Sequence, residues 1–520
     1  MKNTRTVHSP KTTLIATASL VTFLSVAERG LGFLYRVVLA RLIGAEGMGL
    51  YQVALSLFSV FLTIGTGGIP VTVSRFISKS KAENSPLNER KSISAGLILS
   101  LILTLPVAIF LIAFPKTVSF LFADERCLPV FRILMLGLVF SSVFAVIRGS
   151  FWGNKNFLLP AVLEMVEEIV MVIAGILLLK NVSSFERGAN LAAWAVVLSY
   201  LVSFTLSVLC FFTKGGKLAS PKTQLQPLFA SSLPITSVRA GGSLVNSAVA
   251  VLLPAMLVRC GMEKSQALQL FGAVSGMAIP VLFIPSTVIG SLSLVLVPEL
   301  AEDFYRNHTK RLYQNITRGI SIALFVACFL TPFFYVLGND LGELAFSNAL
   351  AGECIRKGSP ILIPMSLTMI TTGILNSLGF EKQTFSFYFV SAAAMLLCVL
   401  FLPAFLGVYA YVVGLGASFV INAVCNLVLL SKKCPDLFRG IIRENKPLLR
   451  RHALGFLCIL PVSLIGALFS ALCMQALGET LSVLCAGVCV GVLQTIVYCI
   501  IGAIPVKVMF RKTGKRTKNA

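Results

Sequence analysis

The sequence predicts an all-α polytopic membrane protein of about 14 transmembrane helices, two six-helix lobes related by a parallel repeat plus a C-terminal helix pair. Three observations carry this prediction. The apolar fraction is too large for water, uncharged runs of span length recur along the chain, and basic residues gather in every second connection. Of 520 residues 56% are apolar and 12% charged, roughly half the charged share of a soluble domain. That composition excludes a soluble enzyme, a disordered chain and a protein with a single anchor. Aromatics are chiefly Phe, 38 against 10 Tyr and 2 Trp, which suits lipid-facing and helix-packing surfaces more than a sugar-stacking groove.

Taken in order, the runs fall at 12–40, 48–73, 92–114, 129–152, 157–180, 190–213, 227–259, 267–298, 317–337, 359–380, 384–407, 408–431, 451–478 and 482–504. None alternates with period two, so none reads as transmembrane β. The first begins basic and turns apolar at Leu14, as a signal peptide does. It continues past Glu28 and Arg29 without an A-x-A site and therefore reads as a span. Of the 44 Lys and Arg, 31 fall in one alternate set of connections, nine in the other and four within spans. This asymmetry places both termini in the cytoplasm. The +23 net charge is scattered over short loops with no shared face, which argues against a nucleic-acid partner.

Shifting the chain by 218 residues aligns 24–41 with 242–259 without a gap, so that Ser25 meets Ser243, Glu28 meets Asn246 and Arg41 meets Arg259. Span 2 carries the break Gly67-Gly68-Ile69-Pro70, span 7 carries Pro254, and span 8 carries Pro280, Pro285 and Pro298. Spans 1 and 7 run in the same direction, which is the parallel repeat of many transporters. The expected organisation is an N-lobe over 1–226 with spans 1–6 and a C-lobe over 227–431 with spans 7–12. Spans 13 and 14 follow over 451–504, and a basic cytoplasmic tail over 505–520. Paired breaks at matching positions make Gly67, Gly68, Pro70, Pro254, Pro280 and Pro285 candidate hinge or broken-helix residues. Gly487 and Gly491 in span 14 are four apart, a spacing that permits close helix contact.

An ionised side chain near the bilayer centre costs at least ~2.5–3.5 kcal/mol, so charges deep in spans mark a lumen or a pairing. Span 1 holds Glu28, Arg29 and Arg36; span 5 holds Glu164, Glu167 and Glu168; span 7 holds Arg239. Arg29 and Arg36 are seven apart and Glu164 and Glu168 four apart, so each pair shares a helix face. One reading has the carboxylates neutralise the span 1 arginines and hold the helices together. The other has guanidinium groups line a lumen suited to a phosphate or diphosphate. On that reading Arg29, Arg36 and Arg239 bind substrate, and Glu28, Glu164, Glu168 and Asn246 line the cavity or carry a coupling ion. Arg132 and Arg148, near opposite ends of span 4, read as snorkelling anchors. The 13 cysteines lie mostly in spans without C-x-x-C or Cys/His spacing, so no metal site is expected. No catalytic constellation and no Walker glycine loop is present, which leaves a transporter without catalytic residues or cofactor, coupled to Na+, H+ or the membrane potential.

Residues 29–36 (RGLGFLYR), 39–52 (LARLIGAEGMGLYQ) and 68–75 (GIPVTVSR) resemble the stage V sporulation protein B family. This is the polysaccharide-exporter branch of the superfamily that also holds lipid II flippases and multidrug extruders. The resemblance implies a multi-pass protein of a bacterial plasma membrane that flips undecaprenyl diphosphate-linked oligosaccharides or wall precursors, with a role in peptidoglycan, cell-wall, polysaccharide or spore-cortex synthesis. It implies bilayer lipids and wall-synthesis enzymes as partners. Lipid II flippases are similar in the first span. Arg29 and Gly32-Phe33 match their pattern, whereas Tyr35 stands where a second arginine is expected and Arg36 where an aspartate is expected. The resemblance thus carries over Arg29 as a substrate-contacting residue, and spans 13 and 14 as a groove for the lipid tail. Two alternatives compete with the flippase: a cation-coupled multidrug exporter, and a non-transporting scaffold for wall synthesis.

Overall fold

The computed structural model describes residues 10–182, 184–306, 308–433, 461 and 487–495. Among the described residues there is no strand, and ten helical stretches are long and apolar enough to cross a membrane. One of the ten, Leu20–Ala82, takes in the second expected span and most of the first, and the fifth expected span is missing from the ten because it holds three glutamates. Spans 13 and 14 lie outside the described residues apart from Pro461 and 487–495. Large apolar side chains such as Phe23, Ile102, Leu177 and Phe401 stand exposed on these helices. Water would not tolerate so many, and lipid does.

The chain divides into two compact units, Met1–Gly272 and Ala273–Ala520. The first holds α1 (Pro10–Thr66), α2 (Ile69–Ala82), α3 (Pro86–Ala113), α4 (Cys127–Gly153), α5 (Leu158–Leu179), α6 (Phe185–Thr213), α7 (Leu225–Arg259) and α8 (Lys264–Phe271). The repeat predicts a lobe boundary at 226; the packing boundary falls later, at Gly272, because α7 and α8 pack against α1. α1 is two helices joined at Gly44, whose φ of 65° turns the chain where a side-chain-bearing residue would be strained. At this turn Gly49 meets α8 so closely that a Cβ would lie 2.1 Å from the Leu268 carbonyl oxygen, and a Cβ on Gly272 would lie 2.0 Å from that of Ala45. The core of this unit is built at helical spacing from Ile69, Val73 and Ile77 of α2, Val143 and Ile147 of α4, and Leu228 of α7.

The second unit opens with a π-helical turn that begins at the boundary and covers Gly272–Ala278. It continues through α9 (Ile279–Leu282), α10 (Ile284–Tyr305), α11 (Thr309–Phe346), α12 (Ala349–Gly358), α13 (Leu362–Ser377), α14 (Glu381–Phe401), α15 (Pro403–Leu406) and α16 (Tyr409–Lys433). Ile289 and Leu296 of α10, Ile316 and Ile320 of α11, Ile370 and Ile374 of α13, and Leu430 of α16 form its core. Residues 487–495 are helical, and Val490 packs against Leu337 of α11. A Cβ on Gly487 would only touch Phe333 at 3.9 Å, so no backbone contact depends on that glycine among the described residues.

Candidate functional site

The charged stripes of spans 1 and 5 meet. α1 packs on α5, and a Cβ on Gly32 would lie 2.8 Å from Glu168 Oε1. Glu28 and Arg36, one turn to either side of Gly32, both lie within electrostatic reach of Glu168, and Glu28 also of Glu164. The counter-charge of Glu164 is unexpected. It is Arg148 of α4 that forms the ion pair with Glu164, while its guanidinium lies 5.0 Å over the Trp152 ring and 5.8 Å over Phe144. Arg148 is therefore a pairing residue and not a snorkelling anchor. Glu167 faces α6, beside Ser203 and Tyr200. Among the described residues neither Arg29, which is exposed, nor the half-buried Arg36 forms an ion pair.

The second group forms around the break in span 2. α1 ends at Thr66 and α2 starts at Ile69, because Pro70 in the first turn can begin a helix but offers no N–H to continue one. α7 closes this gap with a polar stripe. Thr236 Oγ1 accepts the Gly68 N–H at 3.0 Å, Arg239 Nη1 donates to the Gly67 carbonyl at 2.8 Å, and Ser243 Oγ lies 2.7 Å from Thr63 Oγ1. Only glycine fits here, since a Cβ on Gly68 would lie 2.3 Å from the Ser232 carbonyl oxygen. On the opposite side Gly149 of α4 packs against the backbone of Pro70. Ser232, Thr236, Arg239, Ser243 and Asn246 follow a 4-3-4-3 spacing and so share one face of α7. Arg239 and Asn246 are both exposed, and no carboxylate pairs with Arg239 among the described residues. Sequence reasoning had both arginine and break, but not their bond.

Facing this stripe, the second half of α1 carries Gln52, Ser56, Ser59, Thr63 and Thr66, again spaced 4-3-4-3. Four of these hydroxyls donate back to their own helix: Ser56 to Gln52 O, Ser59 to Ser56 O, Thr63 to Ser59 O and Thr66 to Leu62 O, each at 2.7 Å.

A third cluster lies outside the spans. Arg126 Nη1 contacts Glu46 Oε1 at 2.8 Å, Arg126 Nη2 contacts Asp124 Oδ2 at 2.8 Å, and Ser265 Oγ donates to Glu46 Oε1 at 2.5 Å. These bonds tie the second half of α1, the segment before α4 and the start of α8 together and give Glu46 of the segment 39–52 its partners. Burial pushes the Asp124 carboxyl up, but hydrogen bonds from the Arg126 side chain and backbone outweigh it and hold the group below its ordinary value.

The remaining predicted residues lie apart. Pro254 sits inside a continuous α7, where it does not interrupt the helix. Pro280 stands in the first turn of α9 and Pro285 in that of α10, bracketing a break at Phe283. No group of three or more metal-ligating side chains occurs among the described residues.

The family model described as "Polysaccharide biosynthesis protein" matches residues 14–304. The chain is 24% identical to Stage V sporulation protein B of Bacillus subtilis (strain 168) over 68% of this chain and 69% of that one. It is 23% identical to Lipid II flippase MurJ of the same organism, over 72% and 74%. Among solved structures, one titled "Lipid II flippase MurJ, inward closed conformation" superposes with a TM-score of 0.71 at 14% identity, covering 95% of this chain and 99% of that chain. The structural likeness establishes the fold.

Proposed function

The chain belongs to the polysaccharide biosynthesis protein family, and from that premise we propose that it is an alternating-access flippase for a lipid-linked oligosaccharide or wall precursor. It is a multi-pass membrane protein of the flippase and transporter class and not an enzyme. The finer reading gives it an undecaprenyl diphosphate-linked glycan, a bacterial plasma membrane with both termini in the cytoplasm, and a place beside wall-synthesis enzymes. One observation carries this reading: Glu164 is matched by Arg148, while Arg29, Arg36 and Arg239 form no ion pair with a carboxylate among the described residues. Guanidinium groups at span depth that are not engaged in an ion pair favour an anionic ligand, and a diphosphate supplies the oxygen pairs that a guanidinium grips with two parallel hydrogen bonds. Glu28 and Glu168, without an ion pair among the described residues, are the proposed carriers of the coupling cation or proton.

The test replaces guanidinium by ammonium at equal charge. Arg29→Lys and Arg36→Lys insert normally but translocate lipid-linked precursor poorly, and the Ala variants are worse. Wild-type translocation by both Lys variants, normalised to inserted protein, sinks the diphosphate clamp. A competing reading, an exporter of amphipathic cations, takes its support from Glu168, which presents its carboxylate to Gly32 and forms no ion pair among the described residues. It requires loss of transport in Glu168→Gln with the arginine variants silent.

A further inference from the structure

The Gly67 carbonyl sits where helical hydrogen bonding stops. It takes no backbone N–H among the described residues, and its donor is Arg239 Nη1 at 2.8 Å. The neighbouring Gly68 N–H is held separately by Thr236. The peptide unit that joins Gly67 to Gly68 is therefore held by two side chains of α7, one neutral and one charged. A guanidinium has five N–H donors, and Arg239 spends one of them on a neutral oxygen. The side chain is exposed, and no carboxylate offsets its charge among the described residues. A neutral carbonyl is a weaker acceptor for such a group than an ionised phosphate, whose bonds are roughly twice as strong as neutral ones.

We propose that Arg239 is a positioning residue that couples anion arrival to the break in span 2: it fastens the Gly67 carbonyl in the state seen here and releases it when a phosphate group takes the guanidinium. The inference rests on the diphosphate reading above and adds to it a reason for the arginine to lie against a broken helix. Releasing the carbonyl removes one of the two side-chain ties on the Gly67–Gly68 peptide, while the Gly67 N–H stays on the Thr63 carbonyl and the Gly68 carbonyl on the Thr72 N–H, so the freedom gained is that of the glycine peptide between them. Thr236 keeps the other tie, so the segment loosens without coming apart.

The experiment uses the full chain in lipid nanodiscs with farnesyl diphosphate as probe. It reads probe affinity together with amide hydrogen exchange over residues 67–73. In the wild type, bound probe raises exchange in this segment about tenfold, the effect of losing one hydrogen bond of ordinary strength. Arg239→Gln exchanges fast without probe and does not respond to it. Arg239→Lys keeps a donor for Gly67 and stays protected without probe, which separates loss of the tie from misfolding. Wild-type protein that binds the probe with exchange over 67–73 unchanged overturns the coupling and leaves the flippase reading standing. Wild-type protein that binds no probe overturns the diphosphate reading, and the coupling with it.

Discussion

Removing one member of the Arg148–Glu164 pair tests whether the span 5 carboxylates are already neutralised inside their own unit. The side chains are 25% and 24% exposed. Exposed pairs contribute ~0–1 kcal/mol, and breaking a fully buried pair costs ~3–5 kcal/mol, so a pair three-quarters buried falls at about 2–4 kcal/mol. Arg148→Gln leaves Glu164 without its cation and also forfeits the stack on Trp152, worth roughly 0.5–2 kcal/mol. Glu164→Gln alone leaves Arg148 stranded. The double variant removes both charges, so the cycle yields a coupling of about 2–3 kcal/mol. Thermal or denaturant unfolding of the purified protein in detergent micelles measures each corner. Single effects that add to the double effect within ~0.5 kcal/mol refute the pairing. A larger coupling of Glu164 to Arg29 than to Arg148 would return the carboxylates to span 1.

Three further outcomes follow from the packing and the charges. Gly49→Ala places a methyl 2.1 Å from the Leu268 carbonyl oxygen and costs ~1–3 kcal/mol or more in the same unfolding assay, whereas Gly30→Ala, with nothing within 4 Å of the new methyl, is neutral or stabilising. Because the folded-state value of Asp124 lies below its ordinary 3.8, its contribution is fully present above that pH and is lost as pH falls through the folded value; Asp124→Asn flattens this acid limb of the Tm against pH curve. Thiol reagents applied outside intact cells modify Leu42→Cys and Glu343→Cys and spare Lys217→Cys, and the opposite pattern inverts the proposed topology.

The helices themselves were legible, since apolar runs of span length have few other uses. So was the break at Gly67-Gly68, because proline and glycine act through their own backbone. Arg148 was misread because a basic residue near a span end commonly snorkels. A signal was nonetheless present: Arg148 lies five residues before the end of α4 and Glu164 six after the start of α5, and an antiparallel hairpin pairs residues equidistant from its turn. The role of Arg239 was hidden for a different reason. Its partner is a backbone carbonyl, which every residue possesses, so no residue type announces it. The 4-3-4-3 polar stripe of α7 was the available clue that this helix faces something other than lipid.

The hydroxyl column of α1 has a consequence for what kind of chemical group can rest on it. Ser56, Ser59 and Thr66 have each committed their proton to a carbonyl of their own helix, leaving lone pairs to accept, and Thr63, its proton likewise spent, already accepts from Ser243. A face rich in hydroxyls thus behaves as a row of acceptors, hospitable to molecules that bring hydrogens and inhospitable to oxyanions. The guanidinium groups have the opposite polarity, with hydrogens to give and no lone pair to offer. A single molecule satisfies both kinds of surface when it carries an anionic oxygen cluster at one end and alcohol groups at the other.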